Sequence, residues 1–232
     1  MMSKYRHIAC ILLAFLYTGC EDADNLLDQH LKGGPIVYAG KIDELAIQSG
    51  YHRLRVNIYP AEDVNRSHCV LSWNLSGGVK DSVLVEYAEA NYDKGLACYY
   101  TLIPLGSVEG NLLIEGQNVD EFGNRSLISS QGAFIYGETY VSTLLNASVS
   151  FSPDAAGISF ENKVGAVGNL VSYEQNNGQF TAEVVVTDEN YPLIDAKIGG
   201  IIRSKTRYLI TGTDIDTLIT TAYLETIIPE AQ

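Results

Sequence analysis

Residues 68–75, HCVLSWNL, and residues 82–88, SVLVEYA, are two short apolar runs separated by a glycine-containing turn at Gly77 and Gly78. Both runs are rich in β-branched and aromatic residues, and polar and apolar side chains partly alternate along them. This pattern is typical of strands that bury one face. The glycines between the runs are typical of a turn, so we predict two successive β-strands in this part of the chain.

Similar runs recur through the rest of the chain, separated by Gly, Asn, Asp and Pro at intervals of roughly 8 to 15 residues. Clear examples are HRLRVNIY (52–59), NLLIEGQNV (111–119), FTAEVVVTD (180–188) and TRYLITG (206–212). No stretch repeats apolar residues at helical spacing over several turns, which disfavours a doubly wound nucleotide-binding fold. The spacing therefore predicts an all-β sandwich fold.

The N-terminus has the pattern of an export signal. Residues 8–17 form an apolar run behind a basic start, too short to cross a hydrocarbon core of roughly 30 Å as a helix. Small residues then precede Cys20, and the segment resembles the lipobox of bacterial lipoproteins, whose cysteine sulfur carries diacylglycerol. The resemblance implies lipidation at Cys20 and a membrane anchor made by acyl chains. An ordinary cleaved signal with a chance cysteine is the alternative.

Three carboxylates follow this cysteine directly, namely Glu21, Asp22 and Asp24. They resemble the export signal that Bacteroidetes lipoproteins use to reach the outer face of the outer membrane. We therefore expect a protein anchored in the outer membrane and facing the cell exterior, with a periplasm-facing orientation as the alternative.

The formal net charge of the chain is -13, from 28 acidic and 15 basic residues. A nucleic-acid binder needs clustered Lys and Arg to neutralise phosphates, and no such cluster stands out in the sequence. Nucleic acid is therefore excluded as an expected partner. Asp214 and Asp216 alone are a weak calcium signal because the rest of a calcium-binding loop is missing.

Cys69 and Cys98 are the two cysteines beyond the N-terminal segment. An exported protein can keep a disulfide, so these residues can pair. Each also lies in an apolar strand-like run, where a reduced cysteine packs as a small core residue. Both alternatives stay open. No cysteine or histidine spacing indicates zinc, and we expect no metal and no cofactor.

Five segments of the chain carry a family resemblance to an uncharacterised Bacteroidetes lipoprotein family, a domain of unknown function with fibronectin type III-like modules. The segments are LKGGPIVYAGKIDEL (31–45), SWN (72–74), KDSV (80–83), DEFGNRS (120–126) and IYGETYVSTLLN (135–146). The resemblance covers about residues 31–146 and continues more loosely downstream. It implies two tandem immunoglobulin or fibronectin type III-like β-sandwiches, and it supplies no catalytic residues.

The expected domain organisation follows from the strand pattern and the resemblance together. It comprises a signal peptide (1–19), a lipidated tether (20–35), a first module (36–137) and a second module (138–232). In the first module, Trp73 matches the central-strand aromatic of such sandwiches, and we expect it in the core.

Catalysis is not expected, because the sequence contains no nucleophile elbow, HExxH motif or other spaced catalytic signature. A glycan-processing enzyme accessory or hydrolase is the most distant alternative, since a glycosidase needs only two suitably spaced carboxylates. Many acids in one chain do not by themselves indicate such a pair.

A binding role at the cell surface is the favoured function, and tyrosines supply its candidate site. Tyr87, Tyr92, Tyr99 and Tyr100 cluster in sequence, and exposed aromatic faces can stack on sugar rings. Half-buried packing on a sheet is the alternative for these side chains. A structural spacer, or a module that binds an outer-membrane protein partner in adhesion or assembly, is the alternative function, because sheet edges offer backbone groups for strand addition.

Two short segments resemble the acceptor pattern of Bacteroidetes O-glycosylation, an Asp followed by Ser or Thr and an aliphatic residue. They place candidate modification sites at Ser82 and Thr217.

Overall fold

Alternating burial along the quoted stretch shows why it forms paired strands. In Arg66–Asn74 the buried side chains are Cys69, Leu71 and Trp73, and the residues between them lie on the opposite face of the sheet. This strand pairs antiparallel with Lys80–Glu86. The turn between them has positive φ at Gly77 and Gly78, which glycine adopts without steric cost. The predicted strand pair is confirmed.

The computed structural model describes residues 37–62, 65–75, 77–161, 163–187 and 190–230. The described residues from Ala39 onward belong to one compact unit.

The first half of this unit contains two four-stranded sheets that face each other. Its strands are β1 (Ile42–Ser49), β2 (Arg53–Pro60), β3 (Arg66–Asn74), β4 (Lys80–Glu86), β5 (Tyr92–Asp93), β6 (Cys98–Pro104), β7 (Gly110–Asp120) and β8 (Ser129–Ile135). A short 3-10 helix, Glu89–Asn91, precedes β5. One sheet has the order β1-β2-β6-β5 and the other β4-β3-β7-β8. Immunoglobulin-like sandwiches have strands A, B, E and D in one sheet and strands C, F and G in the other. The sheet β1-β2-β6-β5 corresponds to the first of these, and β3, β7 and β8 correspond to C, F and G.

The second half repeats the same pattern with shorter strands. They are β9 (Val149–Phe151), β10 (Gly157–Phe160), β11 (Ala166–Tyr173), β12 (Val184–Val186), β13 (Tyr191–Pro192), β14 (Ile201–Tyr208), β15 (Leu218–Ile219) and β16 (Leu224–Ile227). One sheet has the order β13-β10-β9, and the other has the order β12-β11-β14-β15, with β16 also paired to β14. We refer to strands β1–β8 as the first sandwich and to strands β9–β16 as the second.

Each sandwich has its own hydrophobic core. In the first, Leu54 and Ile58 of one sheet and Leu71 and Ile114 of the other are fully buried. In the second, Ile158, Val171, Tyr173 and Ile202 belong to the corresponding cluster. Burial of such side chains stabilises a fold by about 1.5–3 kcal/mol each. The predicted all-β sandwich fold is therefore confirmed, and the exact module boundaries stay a prediction.

A single-turn helix, α1 (Glu138–Ser142), lies in the segment that connects the two sandwiches. In the described part of the chain, no helix is both long enough and apolar enough to cross a membrane.

Candidate functional site

The candidate site with the best-defined contacts is the place where the two sandwiches meet, which we call the junction. There the turn between β1 and β2 contacts the loop that precedes β15. The backbone N–H of Ile215 donates to the carbonyl of Ser49 at 2.9 Å, and the Gln48 side chain donates to the Thr213 carbonyl at 2.9 Å. At Gly50, a Cβ atom would lie 2.6 Å from Ile215 Cγ1. The turn and the loop therefore approach too closely for a side chain at this glycine.

A charge pair connects the same two elements. Arg53 Nε donates to Asp216 Oδ2 at 2.9 Å, and its Nη2 donates to Oδ1 of the same carboxylate. The Tyr51 backbone N–H also donates to Oδ2 at 2.9 Å. The hydrogen bond from Arg53 lowers the pKa of Asp216, and the same bond raises the pKa of Arg53. Both groups therefore stay ionised at neutral pH.

Helix α1 is fixed at the junction by carboxylates. Glu109 accepts hydrogen bonds from the backbone N–H groups of Thr139, at 3.1 Å, and Tyr140, at 2.5 Å. These donors belong to the first turn of the helix and have no partner within it. Although desolvation acts to raise the pKa of Glu109, the backbone bonds lower it overall. The carboxylate of Glu138 also lies 2.8 Å from His52 Nε2.

A hydrophobic cluster fills the space beneath these polar contacts. Its buried members are Tyr136, Val141, Tyr208 and Leu218. The ring of Tyr136 lies 4.8 Å from that of Tyr140, centroid to centroid. Because the buried members come from the connecting segment and from β14 and β15 of the second sandwich, the connecting segment is packed into the junction.

An open cavity of about 590 Å³ lies beside this cluster. Its lining residues are Tyr51, Arg53, Val141, Asp216, Thr217, Leu218, Ile219 and Thr221. The two charged groups in this lining are bonded to each other. Among the described residues, no group of three or more His, Cys, Asp or Glu side chains is arranged to hold a metal ion. The junction thus combines hydrogen bonds, a charge pair and apolar packing.

The structure divides the four tyrosines that the sequence groups into one candidate site. Tyr99 lies on the core side of β6, with ring centroids 4.7 Å from Tyr87 and 5.0 Å from Tyr92. Tyr100 lies on the opposite face, where Arg55 stacks 4.2 Å from its ring centroid. All four side chains are half-buried. Adjacent strand residues point to opposite faces, so a single sugar ring cannot stack on the set.

The two cysteines are free and buried in different sheets. Cys69 faces the core from β3, whereas Cys98 begins β6 in the other sheet. Desolvation by burial raises the pKa of the Cys69 thiol to about 12. Of the two alternatives for these residues, the structure has the unpaired one.

The candidate modification sites differ in their surroundings. Ser82 is exposed on β4, where its backbone N–H donates to Asp81 at 2.8 Å. Thr217 is half-buried in the loop before β15 and lines the junction cavity. The predicted lipidation site Cys20 and the export residues Glu21, Asp22 and Asp24 lie outside the described residues.

The sequence pattern missed the junction. Asp214 and Asp216 suggest only a weak calcium signal, whereas the structure shows a different use for each. Asp216 binds Arg53, and Asp214 accepts a hydrogen bond from the backbone N–H of Thr211 at 2.9 Å. Arg53 and Asp216 are 163 positions apart, and no local pattern in the sequence pairs two such distant residues.

Comparison of the sequence with known protein families finds a match to one family. The sequence profile of DUF4998, described as a domain of unknown function, matches residues 20–218. No curated protein matches the chain significantly.

Several solved structures are similar to parts of the chain. A fragment of chicken CNTN1, FN1–FN3, has a TM-score of 0.39 and 12% identity, covering 83% of this chain and 66% of that one. A two-domain fibronectin type III segment of chicken tenascin has a TM-score of 0.34 and 11% identity, with coverages of 82% and 99%.

A family 76 glycoside hydrolase from a bovine Bacteroides thetaiotaomicron strain has a TM-score of 0.33 and 13% identity, with coverages of 41% and 20%. The alignment thus spans a fifth of the hydrolase. Similarity at this level says nothing about the activity of this chain.

Proposed function

This chain belongs to the DUF4998 family, a domain of unknown function, and we propose that it is a non-catalytic module that presents or binds protein partners at the cell envelope. In this proposal, lipid on Cys20 anchors the chain in the outer membrane, and Glu21, Asp22 and Asp24 direct it to the cell exterior. A sandwich fold suits the role, because its strands carry exposed faces and edges that other proteins can contact.

The junction is the observation that carries this proposal. A hydrogen-bonded charge pair and two further hydrogen bonds connect the sandwiches, and a buried apolar cluster packs the connecting segment against the second sandwich. Two sandwiches that moved independently would need none of these contacts. A spacer gains from them, because a fixed junction sets the position of whatever the second sandwich carries.

A distance measurement between the sandwiches tests the presenting role. Spin labels on Leu84→Cys and Ile227→Cys, at side chains 53% and 70% exposed, report on the first and second sandwich. We expect the spin label not to react with Cys69 and Cys98, because both are buried. The lipidated full chain without added cysteines is the control and should take up no label. We expect a narrow distance distribution by pulsed electron resonance. A distribution as broad as that of two freely tethered domains would contradict the proposal.

The anchor is tested separately by the Cys20→Ala substitution. We expect the protein to leave the membrane fraction, because loss of the acyl chains removes about 0.8 kcal/mol of membrane affinity for each buried methylene. Fractionation of cells that express either form measures this directly. Unchanged retention of the variant in membranes would rule out lipidation at this position as the anchor.

A further inference from the structure

The larger sheet of the second sandwich carries three half-buried cationic residues along one strand. Side chains on β14 alternate strictly, and Ile202, Ser204, Thr206 and Tyr208 are buried. Arg203, Lys205 and Arg207 therefore lie on the opposite face, at a spacing of about 7 Å. Such a row is unexpected in a chain whose net charge is -13.

The three cations differ in how they are paired. Arg203 Nε donates to Glu225 Oε1 at 2.9 Å. Among the described residues, neither Lys205 nor Arg207 has a carboxylate partner within ion-pair distance. Two of the three charges are therefore available to a ligand.

Two aromatic rings lie on the same face of the sheet. The Arg203 guanidinium carbon lies 4.2 Å from the ring centroid of Phe180, and Lys205 Nζ lies 4.5 Å from that of Tyr223. The Tyr223 hydroxyl donates to Glu183 at 2.8 Å, which fixes the position of its ring. Phe180 and Tyr223 are nevertheless 38% and 46% exposed.

Each ring thus has one face against a cation while a substantial part of its surface meets solvent. We define Phe180, Arg203, Lys205, Arg207 and Tyr223 as the cationic face. Its aromatic rings and unpaired positive charges are complementary to a ligand that has flat apolar surfaces and repeated negative charges. The surface around them is a sheet face, which suits an extended chain.

We propose that the cationic face binds an anionic polysaccharide. Uronate carboxylates pair with Lys205 and Arg207, and the apolar faces of the sugar rings pack on Phe180 and Tyr223. An acidic peptide would neutralise the charges but has no regular series of rings to cover the aromatic surfaces. A neutral glycan would cover the rings and leave the two charges unpaired. The inference goes beyond the presenting role, which depends on the junction and not on this face.

Titration calorimetry of the purified full chain with polygalacturonate tests this inference. Two polymers serve as matched probes: the fully methyl-esterified form, which keeps the sugar backbone without its charge, and polyglutamate, which keeps the charge without sugar rings. We expect binding to polygalacturonate that weakens with added salt, because exposed charges are screened. Equal binding of either matched polymer, or no binding of polygalacturonate, would overturn the proposal.

Variants locate the site. Lys205→Gln combined with Arg207→Gln, and separately Tyr223→Ala, should each weaken polygalacturonate binding about tenfold. Lys80→Gln and Phe122→Ala are matched controls on the first sandwich, where the Lys80 side chain is 62% exposed and Phe122 is 75% exposed. They should leave the affinity unchanged. Binding that is lost equally in the controls, or that persists in both test variants, would refute this assignment.

Discussion

Asp216→Ala removes the carboxylate at the centre of the junction, and it should destabilise the first sandwich although Asp216 lies in the second half of the chain. The carboxylate accepts two hydrogen bonds from Arg53 and one from the Tyr51 backbone. Both donors belong to the first sandwich or its β1–β2 turn. The substitution therefore tests whether the two halves are energetically coupled.

The size of the effect follows from these contacts. A hydrogen bond to a charged group contributes about 1.5–3 kcal/mol net when it is buried. The Arg53 side chain is 46% exposed and that of Asp216 is 20% exposed, so solvent screening reduces this contribution. We expect a coupling free energy of about 1–2 kcal/mol between the two side chains. With a typical m-value of about 2 kcal/mol/M in urea, a loss of unfolding free energy of this size shifts the urea midpoint by about 0.5–1 M.

The single tryptophan makes this coupling measurable. Trp73 is 4% exposed in the core of the first sandwich, so its fluorescence reports the unfolding of that half. Urea unfolding is compared among the unchanged chain, Arg53→Ala, Asp216→Ala and the double variant in a double-mutant cycle. Glu225→Gln, which breaks an ion pair within the second sandwich, is the control and should leave the Trp73 transition unchanged. A coupling free energy below about 0.3 kcal/mol would show that the pair contributes no more than an ordinary surface contact.

Three further predictions concern the same region. Gly50→Ala should cost about 1–3 kcal/mol, because the new methyl would lie 2.6 Å from a side-chain carbon of the loop before β15; thermal unfolding measures this against Gly132→Ala, which has open space around it. Leu218→Ala should cost about 2–5 kcal/mol because this side chain is 3% exposed, whereas Leu113→Ala, at a residue 54% exposed, should cost far less. The coupling energy should also depend on pH. Since the pKa of Asp216 is lowered in the folded chain, its contribution is fully present above the unfolded value of about 3.9 and disappears as the pH falls through the lowered value. The double-mutant-cycle coupling energy measured across this range should show the loss. Asp216→Asn should reduce the pH dependence of the urea midpoint only by the share of this residue, because other carboxylates such as Glu109 also have a lowered pKa; a coupling energy that does not change with pH would contradict the prediction.

Strand positions in the first sandwich were predictable because their information is local. The run from residue 68 to residue 88 encodes two strands and a turn through its alternation and its glycines, and Trp73 occupies the expected core position. The same alternation places Cys69 against the core. These features depend on neighbours within a few residues, which a single sequence displays directly.

Sites made by distant residues were not predictable in the same way. Tyr99 and Tyr100 are adjacent in sequence, but strand geometry sends them to opposite faces. The cationic face was also missed, because Phe180 and Tyr223 reach Arg203 and Lys205 only after three strands have paired. Charge counting over the whole chain hid it as well, since the acidic excess outweighs a short basic row.

The packing of the connecting segment has a mechanical consequence. A slack tether lengthens under load before any native contact breaks, so it absorbs small displacements. Here Tyr136 and Val141 are buried in the junction, and Glu109 holds the backbone of helix α1. A pull on one sandwich must therefore break these contacts before the connecting segment can extend. The described part of the chain is thus suited to transmit a small force from one sandwich to the other, and the connecting segment extends only when the junction opens.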